Sequence, residues 1–197
     1  MARAGLLSVA LAVLLLAPAP ASAELQLKPY VGVTFGGGTT LINLADAAGS
    51  RTFVEGIGFV YLGEMFGVEA DASFAPGFFE KGNERTVIRS SVGTVSGSII
   101  VALPRRIAQY SLRPYVVGGF GLIRASIDDA AGIFPIRANM GAINVGGGAT
   151  GFLTQRFGVG WDLRYFRSVT GGPTDPALRF GRPQLSFWRV SMSVVVR

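Results

Sequence analysis

The feature that most constrains this chain is an alternation of period two that recurs along it eight times. Successive strand side chains point to opposite faces, so each such stretch carries one apolar face and one small or polar face. Val31, Val33 and Phe35 alternate with Tyr30, Gly32 and Thr34. Ile57, Phe59 and Tyr61 oppose Gly56, Gly58 and Val60. Phe66, Val68, Ala70, Ala72 and Phe74 oppose Gly67, Glu69, Asp71 and Ser73. Val95, Ile99, Val101 and Leu103 oppose Thr94, Ser96 and Ser98, with Ile100 out of phase. Val116, Phe120 and Leu122 oppose Tyr115, Val117, Gly119 and Gly121. Ile143, Val145, Ala149 and Leu153 oppose Asn144, Gly146, Gly148 and Thr150. Val159, Trp161, Leu163 and Tyr165 oppose Gly158, Gly160, Asp162 and Arg164. Trp188, Val190, Met192, Val194 and Val196 oppose Arg189, Ser191 and Ser193. Hydrophobic residues make up 49% of the chain, yet after the N-terminal segment they never form an unbroken run long enough for a spanning helix, which needs about 18 residues. Dispersed hydrophobicity of this kind reads as all-β.

The expected connections alternate in length. Residues 36–51, 76–86, 125–141 and 168–186 are long; residues 62–65 and 155–156 are short, and 104–112 is intermediate. That rhythm predicts an all-β, eight-stranded antiparallel up-and-down transmembrane β-barrel. Orientation follows from size. The interior of an eight-stranded barrel is only wide enough for side chains. Trp161, Tyr165, Trp188, Phe59, Phe66 and Phe74 would be crowded there, whereas glycine and serine fit. The bulky face is therefore expected outside, against lipid. Phe35, Tyr61, Phe66 and Tyr165 then lie where aromatic girdles belong. A soluble exported lipocalin-like binding barrel, with the faces reversed, is the alternative.

Residues 1–23 are expected to be a secretory signal peptide. Arg3 supplies the positive start, residues 6–16 the apolar core, and Ala21-Ser22-Ala23 the cleavage site. Residues 24–197 then form the barrel domain. The chain has no cysteine, no histidine and a formal net charge of +6. An exported basic chain meets anionic membrane surfaces rather than nucleic acid, so no nucleic-acid partner is expected. The missing histidines remove the commonest acid–base group and metal ligand. No metal or cofactor is expected, and no catalysis.

Five charged residues share the inner face: Glu69, Asp71, Asp162, Arg164 and Arg189. Buried charges must pair, so Glu69 and Asp71 are expected to meet Arg164 and Arg189 across the lumen. The network reads as a structural plug, as a polar conduit or gate, or as an acid–base pair. Arg89, Arg124 and Arg167 share the outward parity near the long connections. There they could meet the phosphates of lipopolysaccharide or serve as ordinary solvated charge. Residues 146–151 match a nucleotide-type G-x-G-x-x-G, but strand continues where a helix would have to begin. Glycine there relieves crowding instead.

The RPYVVGGFGL run at 113–122 and the GGGATGFLTQRFGVGWDLRY segment at 146–165 resemble the central strand and late hairpin of small outer-membrane β-barrel proteins, the OmpA/OmpX-like superfamily. The resemblance implies an integral outer-membrane protein of a Gram-negative-type bacterium, with a periplasmic N-terminus. Its partners would be outer-membrane lipid, lipopolysaccharide and the assembly machinery. That family commonly ends on an aromatic residue; this sequence reads Val196-Arg197. The expected role is structural or surface-interacting, through the outer loops. A narrow channel for small solutes is the other membrane reading.

Overall fold

The structure, a computed structural model, describes residues 23–39, 51–79, 87–104, 112–129, 136–173 and 184–197. The expected signal peptide therefore falls outside the described residues, apart from Ala23. The strands are β1 (Glu24–Thr39), β2 (Thr52–Leu62), β3 (Phe66–Pro76), β4 (Val87–Ala102), β5 (Leu112–Asp129), β6 (Ile136–Phe152), β7 (Phe157–Pro173) and β8 (Leu185–Val196). Each pairs antiparallel with the next, and β1 pairs with β8, so the sheet closes into a barrel without free edges.

Two short connections are fixed by backbone bonds. Gly63 N–H donates to Phe66 O at 2.9 Å between β2 and β3, and Leu153 N–H donates to Phe157 O at 3.0 Å between β6 and β7. We call this end of the barrel the turn end and the opposite one the loop end.

The outer wall is apolar. Trp161 and Trp188 are 54% and 38% exposed, and Phe59, Phe66, Phe74 and Phe120 also face outward. Along β5 the outward side chains from Leu112 to Leu122 rise roughly 25 Å on a tilted strand, the height of a membrane barrel's apolar band. An oily exterior on this scale excludes the soluble lipocalin-like alternative.

The interior differs from the expectation of small and charged residues throughout. It has three layers. Toward the loop end lies an apolar cluster that includes Val54, Phe78, Phe79, Met140, Phe166 and Phe187. Charged residues occupy the middle. Toward the turn end a second apolar cluster holds Val60, Leu62, Ile100, Ala102, Tyr115 and Val117. The bulky rings fit because they stack. Phe166 and Phe187 lie parallel at 5.2 Å, and Phe78 meets Phe187 edge-on at 5.3 Å. Phe78 and Phe79 follow β3 and turn into the barrel mouth. Gly77 makes this possible with φ of +69°, a conformation that side-chain-bearing residues rarely adopt. Its N–H donates to Ser90 O at 2.7 Å, and Phe79 N–H donates to Ser90 Oγ at 2.9 Å.

Three expected connections give up residues to strands, the first being 168–186, of which 168–173 belong to β7 and pair with β6. Residues 125–129 and 136–141 continue the β5–β6 ladder through Ala125↔Ala138 and Ile127↔Ile136, so that connection is short. Gly36 is inside β1, with φ of +61°, at a register shift against β8 between Phe35 and Gly38. It is a bulge within a strand that runs on to Thr39.

Phe187 stacks on Phe166 and meets Phe78 edge-on in the layer toward the loop end. Phe187→Ala is expected to destabilise the barrel by about 3–5 kcal/mol through the cavity it leaves. Phe120→Ala, on the lipid face, should cost clearly less. Urea unfolding in lipid vesicles, followed by tryptophan fluorescence, measures the difference.

Candidate functional site

The middle layer is built by strand parity alone. Lys28 and Tyr30 on β1, Glu69 and Asp71 on β3, Tyr115 on β5, Asp162 and Arg164 on β7 and Arg189 on β8 all point inward and are buried. Arg164 is the hub of one half. Its Nε donates to Asp162 Oδ1 at 2.7 Å, and its Nη2 donates to Glu69 Oε2 at 2.6 Å and to Asp162 Oδ2 at 3.0 Å. Lys28 Nζ lies 3.6 Å from Glu69 Oε1 and donates to the Tyr115 hydroxyl at 3.2 Å. Tyr115 in turn donates to Asp162 Oδ2 at 2.9 Å.

Arg189 is the hub of the other half. It grips Asp71 with two bonds, Nη1 to Oδ1 at 3.0 Å and Nη2 to Oδ2 at 3.3 Å. Nη1 also donates to the Tyr30 hydroxyl at 2.7 Å. The guanidinium lies over the rings of Tyr30 and Phe166, at 4.8 and 4.9 Å. Arg164 and Arg189 are direct cross-strand partners. Like charges so placed repel, and each is offset by its own carboxylates, although Arg164 Nη1 and Arg189 Nε have no hydrogen-bond partner among the described residues.

Lys28, Arg164 and Arg189 balance Glu69, Asp71 and Asp162, so the lumen network is neutral. Neutrality matters because an unpaired buried ion costs several kcal/mol. The glycines opposite make room. A Cβ on Gly146 would lie 2.8 Å from Arg164 Cγ and 2.2 Å from Leu163 O. The G-x-G-x-x-G run is thus lumen wall. Every carboxylate of this layer is held by a cation, and an apolar layer lies on either side of it.

A second set of bonds seals the turn end. Buried Arg113 donates from Nε to Leu103 O at 3.0 Å and from Nη2 to Gly63 O at 2.8 Å, tying two connections together. Arg197 Nε pairs with Glu24 Oε2 at 2.6 Å, and its guanidinium lies 3.3 Å from the Phe152 ring centroid.

The sequence singles out the carboxylates and the two arginines but not Lys28, Tyr30 or Tyr115. The tyrosines were assigned to the correct face without a role. Lys28 shares the parity of Tyr30 but lies before the point where alternation becomes obvious. On the outer wall, Arg124 and Arg167 are exposed near the loop end, on β5 and β7. Arg137, on β6 between them, is exposed too and was missed. Arg89 lies on β4 opposite Asp128, and its side chain is outside what the structure describes.

The sequence profile of the outer membrane protein beta-barrel domain family matches residues 8–185. Among solved structures, Neisserial surface protein A is similar over 89% of this chain and 98% of its own, at 14% identity and a TM-score of 0.63. The outer membrane protein OprG from Pseudomonas aeruginosa is similar over 90% of this chain and 96% of its own, at 12% identity and a TM-score of 0.59. At such identities the likeness is one of fold. No curated protein sequence matches the chain.

Arg164→Met leaves Glu69 and Asp162 with too little positive charge. It is expected to destabilise the barrel by about 3–5 kcal/mol. Adding Glu69→Gln restores neutrality and should recover part of the loss. The double-mutant cycle is read from urea midpoints.

Proposed function

The chain belongs to the family of outer membrane protein β-barrel domains, and from that premise we propose that it is a sealed, membrane-embedded scaffold acting through its outer surface. The observation that carries this reading is the filled lumen. Apolar layers lie above and below a neutral ion network in which every carboxylate is paired with a cation. A conduit would need a hydrated path past the stacked rings of Phe166 and Phe187.

The segments joining strands at the loop end then face outward from the cell, where a rigid barrel presents them to partners. The reading assigns no catalytic step: the chain has no histidine, and the lumen acids are each neutralised by a cation. It includes export with removal of residues 1–23 and insertion by the outer-membrane assembly machinery. Arg89, Arg124 and Arg167 are assigned to the phosphates of lipopolysaccharide. The outward placement of Arg124 and Arg167 near the loop end supports that assignment.

Single-barrel recordings in planar lipid bilayers test the sealed lumen. The wild-type barrel is expected to show no stable ohmic openings. Steady openings whose size changes in Arg164→Ala would replace the scaffold with the narrow channel for small solutes.

A further inference from the structure

Glu55 is a charge that the lumen network does not use. It lies on the outer face of β2 between Phe53 and Ile57, which are 52% and 37% exposed. Its carboxylate therefore sits inside the apolar band, where a charge is costly. Among the described residues it has no hydrogen-bond or ion-pair partner. The ladder sets Glu55 opposite Phe74, Phe74 opposite Gly93, Gly93 opposite Arg124, and Arg124 opposite Asn139. Glu55 and Arg124 are thus on one row, three strand spacings or about 14 Å apart. Strand tilt lifts Arg124 roughly 9 Å nearer the loop end. Chain order agrees, since Leu122 on its turn-end side is apolar and Ser126 on its loop-end side is polar.

Between the two charges runs an apolar groove of about 720 Å³ on the outer wall, floored by Ala72 and Gly93 and walled by Phe74, Val95 and Leu122. Asn139 also lines it, beside Arg124. Neither Arg124 nor Asn139 has a side-chain partner among the described residues. An occupant must therefore offer an anion at the rim, an acyl chain below it, and a hydrogen-bond donor deeper still.

We propose that this groove is a site for one lipopolysaccharide molecule. A phosphate is held by the Arg124 guanidinium and the Asn139 amide. An acyl chain lies along Ala72, Gly93 and Val95. A hydroxyl or amide N–H on the acylated part donates to the Glu55 carboxylate. The order of groups decides among occupants. An ethanolamine phospholipid carries its donor above the phosphate, on the wrong side for Glu55. A second copy of this chain, related by an axis along the membrane normal, would keep its own Arg124 roughly 9 Å above the depth of Glu55 and so could not neutralise it with that arginine. The site rests on the assignment of Arg124 to a lipopolysaccharide phosphate made above, and adds to that contact a groove for an acyl chain, a second phosphate ligand in Asn139 and a deeper acceptor in Glu55.

Native mass spectrometry of the full chain, released in mild detergent from lipopolysaccharide-containing vesicles, tests the site. One lipopolysaccharide per barrel is expected to be retained. Arg124→Ala should lower retention about tenfold, the loss of one charge-assisted contact. Gly93→Leu should lower it similarly by filling the groove. The backbone has room for a side chain to start there, since a Cβ meets nothing nearer than Ser73 O at 3.8 Å. Glu55→Leu should lower lipopolysaccharide retention while leaving phosphatidylglycerol retention unchanged. Heat-modifiable gel mobility confirms that each variant is folded. Retention within twofold of wild type in folded Gly93→Leu and Arg124→Ala overturns the site. So does displacement by millimolar inorganic phosphate, or equal retention of phosphatidylglycerol. Stable conductance in wild type, with retention intact, would count against the sealed scaffold alone.

Discussion

The structure depends on one constraint: a narrow closed barrel has to fill its own lumen without leaving a charge unpaired. Eight strands enclose little more than a column of side chains. Water cannot rescue a stray ion there as it can at a surface. The chain meets the constraint with three cations against three carboxylates. Two tyrosine hydroxyls extend the network, and the rings of Tyr30 and Phe166 lie under the Arg189 guanidinium. The apolar layers at either end lower the local dielectric, which strengthens each pair in the network. The neutral centre in turn lets the apolar ends close over it.

Much of the wall was legible from sequence because parity is local. Trp161, Asp162, Leu163 and Arg164 must alternate sides in any strand, and the crowding of tryptophan in a narrow lumen then fixes which side is out. What parity does not give is depth. Phe166 and Phe187 share the inner parity of Arg164 and Arg189, and only cross-strand register shows that they stack one step above the ions. Phe78 and Phe79 were illegible for another reason. They lie beyond the end of β3, where alternation stops, and it is the positive φ of Gly77 that turns them inward.

Strand ends misled for a related physical reason. Polarity in an aqueous environment does not end a strand. Ala125, Ser126 and Arg137 look like connection residues because their alternation is weak, yet the β5–β6 ladder runs through them. Above the apolar band the outer face no longer has to be oily, so the period-two signal fades while the hydrogen bonds continue. The same reasoning explains Arg124, Arg137 and Arg167. They are wall residues on strands that outreach the bilayer.

An ion network at mid-barrel also does something that apolar layers cannot. Slipping one strand by two residues keeps every side chain on its proper face, so an oily wall barely distinguishes the two registers. The network does distinguish them. In the native register Arg189 faces Arg164 across the β7–β8 pair while reaching Asp71 on β3 at 3.0 Å. A two-residue slip of β8 would put Ser191 or Phe187 at that level and leave Asp71 buried without its cation. Breaking a buried pair costs about 3–5 kcal/mol, enough to make the slipped barrel a rare species. Charges that contribute little net stability when paired thus select one closure of the sheet. In this chain the selection acts between Asp71 of β3 and Arg189 of β8, residues 118 positions apart in sequence.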